Sequence, residues 1–459
     1  MELSFLNRTS ELKQIQQAVQ KQEPSLIILY GRRRCGKSRL LNQLPKDQIV
    51  YHLADLSEPA LQRAYLAEDI NRHIPGFSDV VYPTWQALLS SFFARLPEKP
   101  MITLVLDEFP YLAQLDPSLP SVIQKLYDTE KFRSHVIVCG SSQRMMYGLV
   151  IDSSAPLYGR ASEILKIRPL QPGWIRQALG LEGPEAIEAY AVWGGVPRYW
   201  ESAREYPSYW EAAVELAMKR NGLFHQEPHR LLMDEMRSDV QPHSLLSIIA
   251  GGCNRLSEIA ARLGKKAVSL TRPLNLLIEL GYIHREIPFG ESIRSTKRTL
   301  YRLSDPFLLF WYRYIHPWRS LLEQDVIEPV VQKWEDTRGH HVGEIWEQLA
   351  RLSVPRIPIA GIQWKQAHRW WGKTIDGSPA EIDIVAESID QKSILLGEVK
   401  WSEDISVDGQ YQRLRALAPT LPFTKDKKVC YALWLPQKNV PHGFPCHIID
   451  ADMVLDALV

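Results

Sequence analysis

Residues 31–38 read GRRRCGKS, between an apolar run, LIILY, and an amphipathic segment, SRLLNQL. Glycines at the first and sixth positions let a loop curl so that its backbone N–H groups point at an anion, and a following helix adds its positive end. Lys37 would then reach the β- and γ-phosphates of a nucleotide, and the Ser38 hydroxyl would take one Mg²⁺ position. A chance turn is the alternative, but the strand before and the helix after the loop favour phosphate binding.

Two carboxylates end a second apolar run, MITLVLDEF, at residues 101–109. Asp107 would hold Mg²⁺ through water, and Glu108 would polarise the water that attacks the γ-phosphate. A strand that ends in Asp-Glu usually just meets solvent. With a phosphate-binding loop earlier in the chain, the pair instead favours a joint site for ATP or ADP and Mg²⁺.

Two further polar positions could contact the γ-phosphate. Ser141 follows the apolar run HVIVCG, where a γ-phosphate sensor would lie, and an ordinary turn explains it equally well. Arg160, in PLYGR, is a candidate for stabilising charge on the transferring phosphoryl group, and a surface arginine is the alternative.

These motifs resemble those of the archaeal-type ATPases of the STAND group, a family of AAA-like P-loop switches. The matching segments are FLNRTSEL (5–12), LYGRRRCGKSRLL (29–41), LDEFPYL (106–112), GSSQRMM (140–146), PLYGR (156–160) and WGGVPRYW (193–200). The resemblance covers the first 200 residues and implies that Asn7 and Arg8 lie beside the nucleotide, while Gly195 and Pro197 contact adenine from a helical lid. Relatives couple nucleotide state to a winged helix.

The expected nucleotide-binding residues are therefore Asn7, Arg8, Gly31, Arg32, Arg33, Arg34, Cys35, Gly36, Lys37, Ser38, Arg39, Asp107, Ser141 and Pro197. The three arginines inside the loop either contact phosphates or a neighbouring subunit of a homo-oligomer, or simply face solvent.

A helix-turn-helix is predicted in the middle of the chain. LSEIAARLG, a turn and VSLTRPLNLLIELG have its spacing, and the second helix would be the reading helix. Residues 251–310 hold ten Lys or Arg against five Asp or Glu, which favours a polyanion partner such as DNA. The candidate contacts are Lys265, Lys266, Ser269, Thr271, Arg272 and, in the wing, Arg294, Lys297 and Arg298. A protein-docking module is the alternative.

A second acidic constellation lies near the C-terminus. In SPAEIDIVA, Asp383 shares one strand face with Glu381, and in SILLGEVKW, Glu398 and Lys400 also share one face. A hairpin could therefore join Asp383, Glu398 and Lys400 around one point. Two carboxylates bind Mg²⁺, and a nearby lysine can orient or deprotonate water. Glu347, on the preceding helix, could supply a further oxygen ligand.

GEIWEQL, EIDIVA and GEVKW resemble the PD-(D/E)xK nuclease fold, which often follows this type of ATPase. The order of a helix, a strand, an Asp-bearing strand, an ExK strand and a helix agrees with that fold. The Pro-Asp pair of the name is absent, because the matching aspartate lies in EID. Salt bridges on edge strands are the alternative explanation.

The elements that must position these residues indicate an α/β P-loop NTPase with a helical lid, a winged-helix domain and a C-terminal α/β restriction-endonuclease-like domain. Predicted strands of a parallel sheet are 26–30, 49–53, 102–106, 136–139 and 164–167. The predicted domains are 1–170 (ATPase core), 171–235 (lid), 236–320 (winged helix and an aromatic linker) and 335–459 (nuclease-like).

Composition excludes several classes of protein. The 459 residues are 45% hydrophobic and carry a net charge of +1, which is typical of globular chains. Neither a membrane span nor a secretion signal is evident, and the five scattered cysteines form no metal or disulfide pattern, so a cytoplasmic protein is expected. The interpretation is an ATP-controlled, DNA-binding protein with a Mg²⁺-dependent nuclease-like site. A STAND-type signalling switch or scaffold that only binds nucleic acid or protein is the alternative.

Overall fold

The computed structural model describes residues 5–97, 101–129, 132–236, 240–292, 294, 296, 298–402, 404–438 and 443–459. The chain divides into two compact units. We call the first the P-loop unit, and its described residues are 5–97, 101–129, 132–169 and 233–236. The second, here the C-terminal unit, is made of the other described residues, from 170 onward. In the described part of the chain, no helix is long and apolar enough to cross a membrane.

A parallel sheet forms the centre of the P-loop unit, as predicted. Its strands are β1 (Leu26–Tyr30), β2 (Ile49–Leu53), β3 (Thr103–Asp107), β4 (His135–Gly140) and β5 (Glu163–Lys166). They are ordered β2-β3-β4-β1-β5, and every neighbouring pair is parallel. The first two strands have the predicted bounds, and each of the other three differs by one residue at each end.

Helices cover this sheet. They are α1 (Thr9–Val19), α2 (Lys37–Leu41), α3 (Pro59–Asn71), α4 (Trp85–Arg95), α5 (Phe109–Leu115), α6 (Leu119–Asp128) and α7 (Gln143–Met146), and α7 continues as a π-helical turn at Tyr147–Ile151. The strands β3 and β4 are buried along their whole length, because apolar side chains of α4, α5 and α6 pack on the sheet.

The C-terminal unit begins with the helices predicted as a lid. These are α8 (Trp174–Leu179), α9 (Gly183–Trp193), α10 (Pro197–Ala203), α11 (Tyr209–Ala213), which continues as a π-helical turn at Val214–Met218, and α12 (Glu227–Glu235), whose residues 233–235 belong to the P-loop unit. The aromatic segment 305–318 is helical and buried rather than an extended connector. Phe307 stacks on Trp193 with ring centroids 6.0 Å apart.

Three helices and a strand pair follow, in the order that the sequence predicts for a winged helix. They are α13 (Val240–Ala250), α14 (Leu256–Arg262), α15 (Ala267–Glu279) and the antiparallel strands β6 (Ile283–Glu286) and β7 (Leu300–Leu303). The next helices are α16 (Pro306–Phe310), which continues at Trp311–Ile315, α17 (Arg319–Leu322) and α18 (Glu328–Ser353). The sequence predicts the last of these helices only over residues 340–352, so α18 begins twelve residues before its predicted start.

A mixed sheet ends the chain. Its strands are β8 (His368–Lys373), β9 (Pro379–Glu387), β10 (Ser393–Val399), β11 (Lys428–Trp434) and β12 (His447–Ile449), ordered β12-β11-β10-β9-β8. Strands β9 and β10 form the predicted antiparallel hairpin. The helices α19 (Val407–Leu417) and α20 (Ala451–Ala457) complete this part, and short 3₁₀ turns occur at Lys46–Gln48, His316–Trp318, Val354–Arg356, Ile359–Gly361 and Ala418–Thr420.

Candidate functional site

The loop between β1 and α2 has the backbone that its glycines predict. Gly31 has φ 154°, and a Cβ there would lie 2.2 Å from the carbonyl oxygen of Ile167, so a side chain cannot fit. Gly36, with φ 87°, lies directly before Lys37, the first residue of α2. Such left-handed conformations suit glycine because it has no Cβ. Gly36 thus leads directly into the start of α2, and the positive end of a helix after a glycine-rich loop suits an anion.

Lys37 and Ser38 are held by the loop and by β3. The ammonium group of Lys37 is buried and donates hydrogen bonds to the carbonyl oxygens of Gly31, at 2.7 Å, and Arg32, at 3.2 Å. The Ser38 hydroxyl donates to Oδ2 of Asp107 at 2.7 Å. The structure thus joins the serine and the aspartate that were predicted to share a Mg²⁺ ion, and a hydroxyl beside a carboxylate is a donor pair that suits this hard cation.

Tyr51, on β2, is a residue of this site that the sequence did not indicate. Its hydroxyl donates to the same carboxylate oxygen of Asp107 that accepts from Ser38. Burial, and then the charge of Asp107, raise the pKa of Tyr51 well above its ordinary value, so this tyrosine stays a donor. Tyr51 could have been predicted only from the pairing of β2 with β3, and the order of the strands in the sheet is not evident from the sequence.

Glu108 has a left-handed backbone, with φ 54°, and begins the turn into α5. Its Oε2 accepts from the hydroxyl of Ser141 at 2.8 Å and from the backbone N–H of Ser141 at 3.2 Å. The predicted water-polarising glutamate and the predicted γ-phosphate sensor are therefore hydrogen-bonded to each other. Positive φ at a glutamate is uncommon and marks a site of local strain.

Arg8 supports the loop rather than facing solvent. It is 7% exposed and has φ 75°. Its guanidinium donates to the carbonyl oxygens of Cys35, at 3.1 Å, and Arg168, at 2.5 Å, and it pairs with Glu11. Arg8 therefore fixes the loop to the end of β5. Asn7 also has a left-handed backbone, and contact of Asn7 or Arg8 with the nucleotide stays a prediction.

Glu235, at the end of α12, was also missed. It is 5% exposed, and its carboxylate accepts from the backbone N–H groups of Gln143, at 3.0 Å, and Arg144, at 3.1 Å. Burial raises the pKa of Glu235, and the two amide donors lower it by less. The neighbouring Asp234 pairs with Arg33 of the phosphate-binding loop at 3.1 Å. No local motif marks these residues, because they lie more than ninety positions from Gln143 and Arg144.

An open cavity of about 770 Å³ lies beside these groups in the P-loop unit. Its polar lining includes Glu108, Ser141, Ser142 and Glu235. This volume is within the range of small-molecule sites, and the cavity adjoins the groups predicted to act on the γ-phosphate.

The remaining predicted nucleotide contacts have other positions. Arg160 forms a two-armed pair with Asp128, with both N···O distances 2.8 Å, so contact with a phosphate requires that pair to open. Arg32 is buried, Arg33 is exposed, Arg34 and Arg39 are half-buried, and Cys35 is buried with a pKa that burial raises. Pro197 is the first residue of α10 in the C-terminal unit.

The C-terminal unit brings the predicted acidic residues together. The ammonium group of Lys400 lies 3.2 Å from Oδ2 of Asp383 and 3.0 Å from Oε2 of Glu398. Oδ2 of Asp383 also accepts from the backbone N–H of Val399 at 3.0 Å. Arg413, on α19, was not predicted, and its guanidinium lies 2.7 Å from Oε1 of Glu398.

The two carboxylates of this cluster differ in acidity. Burial, followed by repulsion from Asp383, raises the pKa of Glu398 to about 7. Burial acts on Asp383 too, but Lys400 and the Val399 amide outweigh it, so the pKa of Asp383 lies below its ordinary value. Burial and the charge of Asp383 also raise the pKa of Glu347 on α18. Neighbouring carboxylates disfavour each other's ionised form, which is why the pKa values of this cluster differ.

The donor set fits a divalent cation in part. Glu398 is 2% exposed, yet its Oε1 makes no hydrogen bond within the described residues, although Arg413 lies close enough for an ion pair. A buried carboxylate oxygen with this spare capacity can bind Mg²⁺. On the other hand, the described residues contain no group of three or more His, Cys, Asp or Glu side chains that could hold a metal. Glu347 instead pairs with Arg351 at 3.5 Å.

The predicted DNA contacts on α15 and the turn before it are exposed. These are Lys265, Lys266, Ser269, Thr271 and Arg272. In the predicted wing, Arg294 is exposed, whereas Arg298 donates to the carbonyl oxygen of Trp371 at 2.7 Å and pairs with Glu291. Lys297 lies outside the described residues. Arg298 therefore ties the segment before β7 to β8.

Comparison with known proteins agrees with the P-loop geometry. Residues 5–202 match a family described as an ATPase domain predominantly from Archaea. Residues 311–412 match a family described as archaeal and bacterial proteins of unknown function. The N-terminal match and the Lys37–Ser38–Asp107 arrangement support ATP binding by a P-loop ATPase.

Two similar proteins cover most of the chain. An uncharacterized protein of Methanocaldococcus jannaschii is 28% identical over 413 residues, which are 87% of this chain and 88% of that protein. The solved structure of a Walker-type ATPase of Pyrococcus abyssi is 20% identical, with a TM-score of 0.50, and covers 67% of this chain and 96% of that structure. The latter likeness supports the P-loop ATPase fold.

Proposed function

We propose that this chain binds and hydrolyses ATP, contacts DNA through the α13–β7 region, and cuts phosphodiesters at Asp383 and Glu398 under nucleotide control. The observation that carries the cutting proposal is the convergence of Asp383, Glu398 and Lys400, with both Nζ···O distances at or below 3.2 Å. A buried carboxylate pair beside a lysine, with one pKa raised and the other lowered, is more frequent at functional sites than elsewhere.

At the nucleotide site, each side chain has a defined task. Lys37 neutralises charge on the β- and γ-phosphates, and Ser38 and Asp107 hold Mg²⁺. Glu108 accepts a proton from the attacking water once it releases Ser141. Breaking that hydrogen bond is therefore a step of the proposed hydrolysis, and Ser141 is then free to donate to the γ-phosphate.

At the acidic site, Asp383 and Glu398 would hold the metal and Lys400 would orient the attacking water. Glu347 could add an oxygen ligand only after leaving Arg351. Bound Mg²⁺ supplies Lewis-acid stabilisation of the phosphodiester oxygens and lowers the pKa of water. Because Glu398 has a pKa of about 7, metal binding also displaces a proton from this group.

A nuclease assay tests the cutting proposal. Linear, supercoiled and single-stranded DNA are incubated with Mg²⁺ or Mn²⁺, with and without ATP. We expect Asp383→Asn and Glu398→Gln each to reduce cleavage by roughly 100-fold or more and to leave ATP hydrolysis unchanged. Glu387→Gln is the matched control, because Glu387 lies on β9 like Asp383 but pairs with Lys365 and Lys427 instead of Lys400.

Failure of the wild-type chain to cut any of these substrates with either metal would overturn the cutting proposal. The second candidate function would then stand: a signalling switch or scaffold in which ATP hydrolysis resets conformation and the last domain only binds. This candidate is favoured because the described residues contain no group of three or more His, Cys, Asp or Glu side chains that could hold a metal.

Salt dependence tests the DNA-binding region. Neutralising phosphates releases counterions, so the logarithm of the affinity for duplex DNA falls linearly with the logarithm of salt concentration. Replacing Lys265, Lys266 and Arg272 together by alanine should reduce that slope by about 0.9 for each phosphate that these side chains neutralise in wild type. Lys425→Ala, an exposed lysine between α19 and β11, should leave the slope unchanged. A flat response in the wild-type chain would favour protein docking.

A further inference from the structure

A groove opens at the edge of the C-terminal sheet, next to the acidic cluster. It has a volume of about 700 Å³, and its lining includes Arg298, Trp371, Lys373, Glu381 and Arg413. Arg298 is paired with Glu291, Arg413 with Glu398 and Glu381 with Arg369, and the side chain of Lys373 is exposed. The groove is open rather than enclosed, so a chain-like ligand can enter and leave along it.

Arg413 connects this groove to the acidic cluster. One of its nitrogens lies 2.7 Å from Oε1 of Glu398, and another donates to the carbonyl oxygen of Glu381 at 3.1 Å. Glu381 and Asp383 also share one face of β9, two residues apart. A phosphate bound by Arg413 would therefore lie directly beside the carboxylates.

Trp371 gives the groove an aromatic surface among these charges. Its indole is half-buried, and the guanidinium of Arg369 lies 5.8 Å from its ring centroid. The carbonyl oxygen of the same residue accepts from Arg298, so the backbone of the tryptophan is fixed. Basic side chains interleaved with an aromatic ring are the combination that binds single strands, since unpaired bases stack on the ring while phosphates meet the cations.

We propose that this groove binds a single strand of nucleic acid and leads its phosphodiester to Asp383 and Glu398. A duplex keeps its bases stacked inside, so Trp371 would have nothing to stack on and the groove would not hold it. This inference names the substrate class of the acidic site and so rests on the proposed function, but binding itself requires no cleavage.

Binding is measured with the full chain in EDTA, which prevents cleavage, by anisotropy of fluorescein-labelled dT20, U20 and a 20-base-pair duplex. We expect Trp371→Leu to weaken dT20 binding roughly 5- to 100-fold, the range for removal of one stacking partner. Lys373→Ala should reduce the slope of log affinity against log salt by about 0.7. Neither variant should change duplex affinity. Lys392→Ala, in the exposed turn between β9 and β10, is the matched control and should change nothing.

Unchanged dT20 affinity in both groove variants would overturn the proposal, and so would equally weakened binding of dT20 and the duplex. If thermal melting shows that Trp371→Leu does not fold, Lys373→Ala decides, because its side chain is exposed. The tighter of dT20 and U20 identifies DNA or RNA as the strand. A wild-type chain that binds dT20 through the groove but cuts nothing with Mg²⁺ or Mn²⁺ would contradict the nuclease proposal and leave the groove proposal standing.

Discussion

Glu398 is surrounded by charge of both signs although almost none of it is exposed. Lys400 and Arg413 attract its ionised form, while burial and the neighbouring Asp383 oppose that form more strongly, so the pKa of Glu398 rises to about 7. Between pH 4.5 and 7 the folded chain therefore holds a proton that the unfolded chain has released. The stability contributed by this group is complete below about pH 4.5 and is lost as pH rises through 7.

This residue yields a prediction about stability. Glutamine at position 398 cannot ionise, so Glu398→Gln should melt at a higher temperature than wild type at pH 8 and at a similar temperature at pH 5. A pKa that rises from 4.5 to about 7 corresponds to at most about 3 kcal/mol. The measurement is thermal unfolding in metal-free buffer across this pH range.

The control for this prediction is Glu387→Gln, since ion pairs with Lys365 and Lys427 lower the pKa of Glu387, and its stability effect should not grow above pH 7. A difference between Glu398→Gln and wild type that is the same at pH 5 and pH 8 would mean that Glu398 is ionised throughout. Adding Mg²⁺ should raise the melting temperature of wild type more at pH 8 than at pH 5, because the metal binds the ionised carboxylate.

Single residues were predictable where a local sequence motif indicates their chemical role. Gly31 and Lys37 could be named because a glycine-rich turn before a helix has few other uses. Asp383 and Glu398 could be paired because alternation along two adjacent strands gives each a known face. Tyr51 and Glu235 could not be predicted in this way. Tyr51 meets Asp107 because β2 pairs with β3, and Glu235 meets Gln143 and Arg144 because the chain returns to the P-loop unit, and no local sequence pattern indicates either contact.

At the scale of elements, the end of α12 is held on the turn that follows β4. Glu235 satisfies two backbone N–H groups at the start of α7, and Asp234 pairs with Arg33. Buried N–H groups without a partner cost about 1–3 kcal/mol. The returning segment 233–236 therefore contributes to the rigidity of the turn that carries Ser141.

We expect Glu235→Ala to destabilise the P-loop unit by about 1–3 kcal/mol, because the N–H groups of Gln143 and Arg144 lose their acceptor. Turnover of ATP should fall more than ATP affinity, since Lys37 and its loop are untouched while the turn carrying Ser141 loosens. Urea unfolding and steady-state ATPase kinetics measure the two effects. Asp234→Asn is the matched neighbour, and its exposed pair should contribute at most about 1 kcal/mol. Equal effects of both variants would show that Glu235 has no special part.

Ion pairs join the strand pair β6–β7 to α18 and to the last sheet. Glu286 lies 2.8 Å from Arg302 and 3.4 Å from Arg351, and Arg351 donates to the carbonyl oxygen of Asp383 at 3.2 Å. Burial would raise the pKa of Glu286, but these arginines lower it overall. The strand pair β6–β7 and the acidic cluster are thus connected through these ion pairs and hydrogen bonds within the C-terminal unit.

The elements themselves were predictable where their periodicity was strong. Apolar runs predicted β1 and β2 residue for residue. The run of β1 is buried except for its last residue, as a strand covered on both faces should be, whereas β2 is buried only at Val50 and His52. The start of α18 was missed because its first turns mix charged residues with apolar residues whose partners are distant in sequence. Trp334 on α18, for example, stacks on Trp210. The same reason explains the segment 305–318, where an aromatic run resembled a connector but forms part of the core.

At the scale of the whole molecule, the chain leaves the P-loop unit near residue 170 and returns to it for the short segment 233–236. The nucleotide site belongs to one unit and the acidic cluster to the other. Control of cleavage by ATP would therefore require two conformations that differ in their affinity for nucleic acid or in their cutting rate. Bound nucleotide would have to favour one of them over the other. Thermodynamic linkage makes such coupling reciprocal for binding, so ATP and DNA must alter each other's affinity by the same factor.

Lys37→Ala provides the test of that coupling, because it should reduce ATP affinity by at least roughly tenfold without touching Asp383 or Glu398. In wild type we expect the dissociation constant for DNA, measured with and without ATP, to change by the factor by which DNA changes the constant for ATP. In Lys37→Ala, at an ATP concentration that saturates wild type but not the variant, DNA affinity and any cleavage should match those of wild type without nucleotide. Lys46→Ala, an exposed lysine after α2, should behave as wild type. Equal DNA affinity in wild type with and without ATP, together with cleavage that ignores nucleotide, would mean that the two sites act independently.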